Sequence, residues 1–164
     1  MRSYKDLEMN YQSGDLDITN NLITSLDGCP QHITGDFLCV NNGLTSLAGG
    51  PQIIDKSYDC TDNQLTDLTG CASYISAELH IRGNRIKSFV GIHKIIKHCR
   101  IIYVDDEHVT EGGIGLLLIK NLEYISTDST PFLVITDYLG KGTKGMMDCS
   151  KELISMGYTN YAKL

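Results

Sequence analysis

Apolar and polar residues follow a pattern between residues 15 and 104 that repeats every 21 positions. Four asparagines mark the repeat: Asn21, Asn42, Asn63 and Asn84. Apolar residues recur five and three positions before each asparagine and two and five positions after it. A glycine follows at seven positions and an isoleucine at twelve. Self-similarity at a period of this length is typical of solenoids, in which each copy forms one coil of a stack.

Each column of the repeat predicts a structural role. Two apolar residues that are two positions apart in a strand point to the same side, so the first two columns predict a short strand. The asparagine amide can satisfy backbone groups at the turn that follows, and the glycine allows a tight bend. The inward columns are Leu16, Phe37, Tyr58 and Leu79; Ile18, Cys39, Cys60 and Ile81; Ile23, Leu44, Leu65 and Ile86; Leu26, Leu47, Leu68 and Phe89; and Ile33, Ile54, Ile75 and Ile96.

These columns predict a β-rich α/β solenoid whose coils pair in parallel at about 4.8 Å spacing. We expect a single domain with an amino-terminal cap over residues 1–14, repeats over 15–104 and an α/β carboxy-terminal cap over 105–164. Residues 91–98 favour a helical outer leg, and residues 101–104 predict a fifth strand displaced by one or two positions.

The carboxy-terminal part has its own element signals. Residues 114–119 form a short apolar run, and residues 121–126 predict a further strand. A helix is expected to begin at Ser129 or Thr130, with Pro131 in its first turn, and to end at Gly140. A last helix is expected to end at Gly157, and residues 140–145 to connect the two helices.

The repeat resembles the leucine-rich repeat family. The runs Asn-Asn-Gly-Leu-Thr-Ser-Leu-Ala-Gly-Gly-Pro (41–51) and Asp-Asn-Gln-Leu-Thr-Asp-Leu-Thr-Gly-Cys (62–71) are similar to short bacterial and bacteriophage proteins of that family. The resemblance implies a horseshoe with parallel strands on its concave face and a role as a protein-binding scaffold. It also implies a phage accessory protein that binds, and modulates or inhibits, a host factor in the host cytoplasm.

Composition limits the classes of function. The chain has 164 residues, and no apolar run approaches the roughly 18 residues of a membrane span. The first eight residues contain charges and no apolar secretory segment, which predicts a cytoplasmic protein. The net charge of −6 argues against general binding of nucleic acid.

Charge is divided unevenly along the chain. Residues 1–77 hold ten acidic and three basic residues, which gives −7, whereas residues 78–164 hold ten acidic and eleven basic residues, which gives +1. The basic stretch over 78–100 fits a solvated face, or a partner that carries the opposite charges at its two ends.

The six cysteines fit buried free thiols better than a zinc or disulfide framework. Cys39 and Cys60 occupy an inward column, and the chain has no Cys-x-x-Cys pair. Cys29 and Cys71 lie two coils apart, about 10 Å, which is too far for a bond. A bond between Cys39 and Cys60 in adjacent coils stays geometrically open, although a reducing compartment disfavours it.

The outward positions of the strands are the candidate partner-binding residues on the concave face. Leu38 and Val40 are apolar on an otherwise polar face, which is typical of the centre of an interface. The column Asn20, Asn41, Asp62 and Gly83 is expected to belong to the same variable surface. The candidate contact residues are Asp17, Thr19, Leu38, Val40, Asp59, Thr61, His80 and Arg82.

Binding of a partner protein is therefore the predicted function, with monomer or dimer left open. The alternative is a structural component that self-associates in a larger assembly. An enzyme is not expected: Asp59 and Arg82 could orient the His80 imidazole, but no nucleophile lies in a recognisable motif. We expect no cofactor and no metal, because the acidic residues over 105–108 are consecutive and lack the spacing of a calcium loop.

Overall fold

The computed structural model describes residues 2–105 and 107–164. Strands in this part of the chain are β1 (Leu16–Asp17), β2 (His32–Ile33), β3 (Phe37–Leu38), β4 (Ile53–Ile54), β5 (Tyr58–Asp59), β6 (Tyr74–Ile75), β7 (Glu78–His80), β8 (Ile101–Tyr103) and β9 (Tyr124–Ser126). Helices are α1 (Ile92–Ile95), α2 (Thr130–Thr136) and α3 (Gly142–Ser155), with 3-10 turns at Tyr4–Leu7, Ile114–Leu118 and Thr159–Ala162.

The strands stack in parallel as successive coils of a β-solenoid, which confirms the predicted fold. The larger sheet has the order β1-β3-β5-β7-β8-β9. Leu16 pairs with Phe37, Phe37 with Tyr58 and Tyr58 with Leu79, each 21 residues further on. The predicted fifth strand is β8, and its displacement is two residues, because Leu79 pairs with Ile102.

The sheet continues past residue 104, where the sequence pattern placed the end of the repeats. Strand β9 adds a sixth position to the sheet, and Ile102 pairs with Ile125 across another 23-residue step (125 − 102). The strand predicted within residues 121–126 is thus part of the solenoid sheet. The two extra residues in each of these steps break the 21-residue frame without breaking the stack.

A second parallel sheet, which the sequence pattern did not reveal, runs along the return leg of the coils. Its order is β2-β4-β6, and single bridges extend it from Tyr74 to His98 and from His98 to Lys120. Strand β2 ends at Ile33 and β3 begins at Phe37, so three residues form the corner between the two sheets. Each of these strands has one exposed and one buried residue and so contributes only one inward column, which is too little to show an alternation in sequence.

The predicted inward columns form the core. All twenty residues of those columns are buried. Phe37 and Tyr58, in adjacent coils, place their ring centroids 5.1 Å apart. Burial of this apolar surface, at about 25 cal/mol per Å², is the main stabilisation of the stack.

The asparagine column joins each coil to the one before it. The buried Asn63 amide donates to Cys39 O and Cys60 O, both at 3.0 Å, and to Thr61 O at 3.2 Å. Its Oδ1 accepts from Leu44 N at 3.1 Å. Asn42 and Asn84 repeat this arrangement one coil earlier and one coil later. The predicted role of the asparagine is confirmed and extends across the coil boundary.

The residue before each asparagine adopts a left-handed backbone. The φ angles are 59° at Asn20, 49° at Asn41, 55° at Asp62 and 66° at Gly83. Asn, Asp and Gly are the residues that adopt this conformation most easily. This column is thus restricted by the turn, and its interpretation as freely variable surface was wrong.

The glycine column makes the predicted bend. Gly28, Gly49, Gly70 and Gly91 have φ between 75° and 89°. A Cβ on Gly70 would lie 2.4 Å from Ala48 N of the preceding coil, so the coils approach closely here.

Both ends of the solenoid are covered. At the amino end the buried Tyr4 lies over the first coil, and its N–H donates to Ser25 O at 3.1 Å. At the carboxyl end Phe132 of α2 contacts Phe89 and Tyr161 edge to face, with centroids 5.6 and 5.7 Å apart. Helix α2 has Ser129 as its N-cap.

Helix α3 differs from the expectation at its start. It begins at Gly142, so the glycine-rich segment predicted as a connector supplies the first turn of the helix. Among the described residues, no helix is long and apolar enough to cross a membrane.

All six cysteines are free and buried. Burial raises the thiol pKa to about 12 in Cys29 and Cys99 and to about 11 in Cys149. Desolvation likewise raises the pKa of Cys39 and Cys60, which are wholly buried in their inward column. A thiol is a nucleophile only as a thiolate, so these side chains are chemically inert in the folded chain.

Replacing Asn63 with alanine should lower the free energy of unfolding by about 2–4 kcal/mol, because several buried backbone groups lose their partner. Asn21→Ala is the matched control, since the Asn21 side chain donates only to Thr19 O and has no preceding coil. That variant should lose about 1 kcal/mol or less. Urea unfolding measures both values, and equal losses would contradict the proposed joining role.

The native thiols should react with an aromatic disulfide reagent only as fast as the chain opens, because burial keeps them protonated. In urea all six should react at once. Thr45→Cys, at an exposed position, provides a fast-reacting control. Rapid labelling of the native wild-type chain would show that the cysteine columns are accessible.

Candidate functional site

The outward side of the larger sheet, here called the sheet face, carries the candidate residues. Four of them lie in strands β1, β3, β5 and β7, and the other four lie two residues further on, just past the strand ends. All eight alternate with buried residues of the inward columns, so they lie on one side. Asp17 and Arg82 are exposed. The half-buried members are Thr19, Leu38, Val40, Asp59, Thr61 and His80.

Six residues of the face pair directly across the sheet and form what we call the central row. The row changes from acidic and apolar at its amino end to aromatic and polar at its carboxyl end. In strand order it consists of Asp17, Leu38, Asp59, His80, Tyr103 and Ser126.

Two aspartates of the row also stabilise the turn that follows their strand. Asp17 Oδ1 accepts from Thr19 N, and Asp59 Oδ1 accepts from Thr61 N, both at 2.9 Å. Leu38 occupies the same position in the coil between them, so the fold does not require a carboxylate there. The choice of side chain along the row is therefore free to serve binding.

A lysine joins the acidic residues at the corner beside the face. Lys56 Nζ lies 3.3 Å from Asp15 Oδ1 and 4.0 Å from Asp36 Oδ2. Asp36 N also donates to Asp15 Oδ1 at 2.9 Å. This backbone bond, assisted by Lys56, lowers the pKa of Asp15 below its ordinary value. Lys56 thus partly neutralises the negative charge of the corner formed by Asp15 and Asp36.

The carboxyl half of the face is a stack of rings. The His80 and Tyr103 rings are nearly parallel, with centroids 4.2 Å apart and an angle of 10°. His80 Nε2 lies 2.8 Å from Glu78 Oε2. The proposed orientation of His80 by Asp59 is therefore wrong: Glu78, on the same strand, holds the imidazole.

Arg82 covers the other part of the tyrosine. Its guanidinium carbon lies 5.4 Å from the centroid of the Tyr103 ring, a cation–π distance. The same guanidinium donates to Ser126 Oγ at 2.9 Å and lies 3.9 Å from Asp105 Oδ1. The stack and these bonds fix the orientation of Arg82, His80 and Tyr103 before any partner arrives.

The sequence pattern missed three apolar or aromatic residues of this half. Ile101 and Tyr103 are half-buried, and Tyr124 is 50% exposed. Glu78 pairs with Ile101 and Ile101 with Tyr124, so they extend the face beside the central row. The signal that could have found them is the apolar series Leu79, Ile102 and Ile125 at a 23-residue step.

The acidic residues considered as a metal site do not form one in the described part of the chain. Over residues 2–105 and 107–164, no group of three or more His, Cys, Asp or Glu side chains is placed to hold a metal ion. In the acidic turn, the Asp105 carboxylate accepts a hydrogen bond from Gly83 N at 2.7 Å. This bond satisfies a backbone donor just past the end of β7. Asp106 lies outside the described residues.

The sheet face thus offers a preformed surface with aspartates at one end, apolar side chains within it and a fixed aromatic and cationic stack at the other. Such a surface can recognise a macromolecule by shape and charge. Comparison with known proteins gives no match to any family model, curated protein or solved structure.

Proposed function

We propose that this chain binds a partner protein through the sheet face. The observation that carries the proposal is the ordered stack of Arg82, Tyr103 and His80. Tyrosine and arginine dominate the energetic centres of protein interfaces. Side chains that are already fixed lose little conformational entropy on binding, so more of the contact energy is retained.

Apolar residues occur on both halves of the face. Leu38 and Val40 lie in the amino half, and Ile101 and Tyr124 in the carboxyl half. They are separated by the more polar pair Asp59 and Thr61. Apolar patches within a polar rim are typical of recognition surfaces.

The dimensions of the face fit a modest interface. Six strands at about 4.8 Å spacing span about 24 Å. A surface of this size accepts an extended segment or one side of a small domain, within the class of weak or transient complexes.

The repeats' resemblance to short bacterial and bacteriophage leucine-rich repeat proteins supports a more specific proposal. The partner is a host protein in the cytoplasm, which the chain modulates or inhibits. Catalysis is not part of this proposal, because binding requires only the surface described above.

Open-ended stacking of coils from many copies, the structural alternative, receives less support. End-to-end stacking requires bare coil ends. Here Tyr4 covers the first coil, and Phe132 with Tyr161 covers the last.

The proposal is tested with the immobilised full chain and a bacterial lysate, by quantitative mass spectrometry of the retained proteins. The triple variant Leu38→Asp, His80→Glu, Arg82→Glu should lose a partner that the wild type retains, by about tenfold or more, because it removes an apolar centre and the cationic stack.

The matched control places similar changes on the second sheet: Ile53→Asp, Lys97→Glu and Lys120→Glu. Ile53 is 42% exposed, and both lysines are exposed. This control should retain the partner. Loss from both variants, or from neither, would contradict recognition by the sheet face; circular dichroism checks that both remain folded.

A further inference from the structure

The central row of the sheet face is complementary to itself when its order is reversed. We infer that a second copy of this chain binds there, face to face, in a symmetric dimer. The inference rests on the proposed function, because it names one partner for the same surface. Another protein would then bind by displacing the second copy.

The reversed row pairs every member with a chemically suitable one. Asp59 of one copy faces His80 of the other, which places a carboxylate against an imidazole. Leu38 faces Tyr103, which joins two side chains with apolar surface. Because a twofold interface is isologous, each of these pairs occurs twice.

The ends of the row agree with the same arrangement. Asp17 faces Ser126, whose hydroxyl can donate to the carboxylate. Six strands place the twofold axis between β5 and β7, so no residue of the row faces its own copy.

Charge selects the direction of the axis. A twofold axis parallel to the strands reverses the order of the coils and gives the pairs described above. An axis along the stack would place each strand over its own copy. Asp17 would then face Asp17, and Asp59 would face Asp59, which like-charge repulsion disfavours.

The flanking rows contain further suitable pairs. Glu78 faces Ser57, and Asp15 faces the hydroxyl-bearing Tyr124. Asp36 faces Ile101, but its carboxylate already accepts from Ser57 N at 2.8 Å and lies near Lys56. By register Arg82 faces Thr61, but its guanidinium lies over Tyr103 and beside Ser126, and so on the side that faces Leu38 and Asp17 of the other copy.

The covered ends of the solenoid explain why such an assembly would stop at two copies. A twofold face-to-face contact is closed, and the capped ends leave no bare coil for further stacking.

The test is sedimentation velocity with the full chain, from about 1 μM to about 100 μM. The wild type should shift from monomer towards dimer as concentration rises. Asp59→Lys and His80→Glu should each weaken association by more than about tenfold, because each replaces the facing carboxylate–imidazole pair with an unfavourable one on both sides of the axis.

The decisive measurement is sedimentation velocity of an equimolar mixture of the Asp59→Lys and His80→Glu variants. In a mixed dimer, Lys at position 59 faces Glu at position 80 on one side of the axis, and the native Asp59 faces His80 on the other. The equimolar mixture should therefore recover dimer that neither variant forms alone.

Asp67→Lys is the matched control. Like Asp59, Asp67 accepts from the backbone N–H two residues further on, at Thr69, but it lies outside the sheet face. It should associate as the wild type does, which separates the face from the change in net charge and from the loss of the turn bond.

A wild type that stays monomeric over the whole range would overturn the dimer, as would a mixture that recovers nothing. Either result leaves the lysate experiment able to support a different partner on the same face. If the lysate experiment fails while the mixture recovers dimer, the face binds only its own copy.

Discussion

The hydrogen bonds of the buried asparagines are the interaction on which the rest of the structure depends. Short two-residue strands leave many backbone groups at each turn without a ladder partner, and such groups are costly when buried. One amide per coil satisfies carbonyls of its own coil and of the preceding one. The same bonds fix the register between coils, so the inward columns meet like residues and the core forms.

Because the repeat is fixed, the residues that stabilise the fold and the residues available for recognition occupy different positions. The inward columns, the asparagine, the glycine bend and the left-handed position before the asparagine take eight of the 21 positions of the repeat. On the larger sheet, the positions left free of these roles are the outward ones. There the chain places residues as different as Asp59, Leu38 and Tyr103 at equivalent points of successive coils. The variation along the sheet face is consequently where the proposed recognition would obtain its specificity.

The sequence was sufficient to predict the coils, their parallel pairing and the core, because a 21-residue period places each column without any three-dimensional information. It also predicted the helical outer leg at α1 and helices at the carboxyl end. It predicted a strand at β9 but not that this strand continues the solenoid sheet, and it missed the aromatic half of the face, because two extra residues per step shift both out of the 21-residue frame. The second sheet was missed because it contributes only one inward column, so its segments show no alternation of apolar and polar residues. The bond between His80 and Glu78 depends on side-chain orientation, which periodicity does not contain.

The direction of the asparagine bonds has a consequence for how such a chain can change in length. Each amide forms hydrogen bonds with its own coil and with the preceding coil. From the following coil it requires only an equivalent amide that bonds back to it. Gain or loss of one internal 21-residue unit therefore preserves every bond type at the new junction. Genetic duplication or deletion of a unit can lengthen or shorten the sheet face in steps of one strand, while the caps at both ends are inherited unchanged.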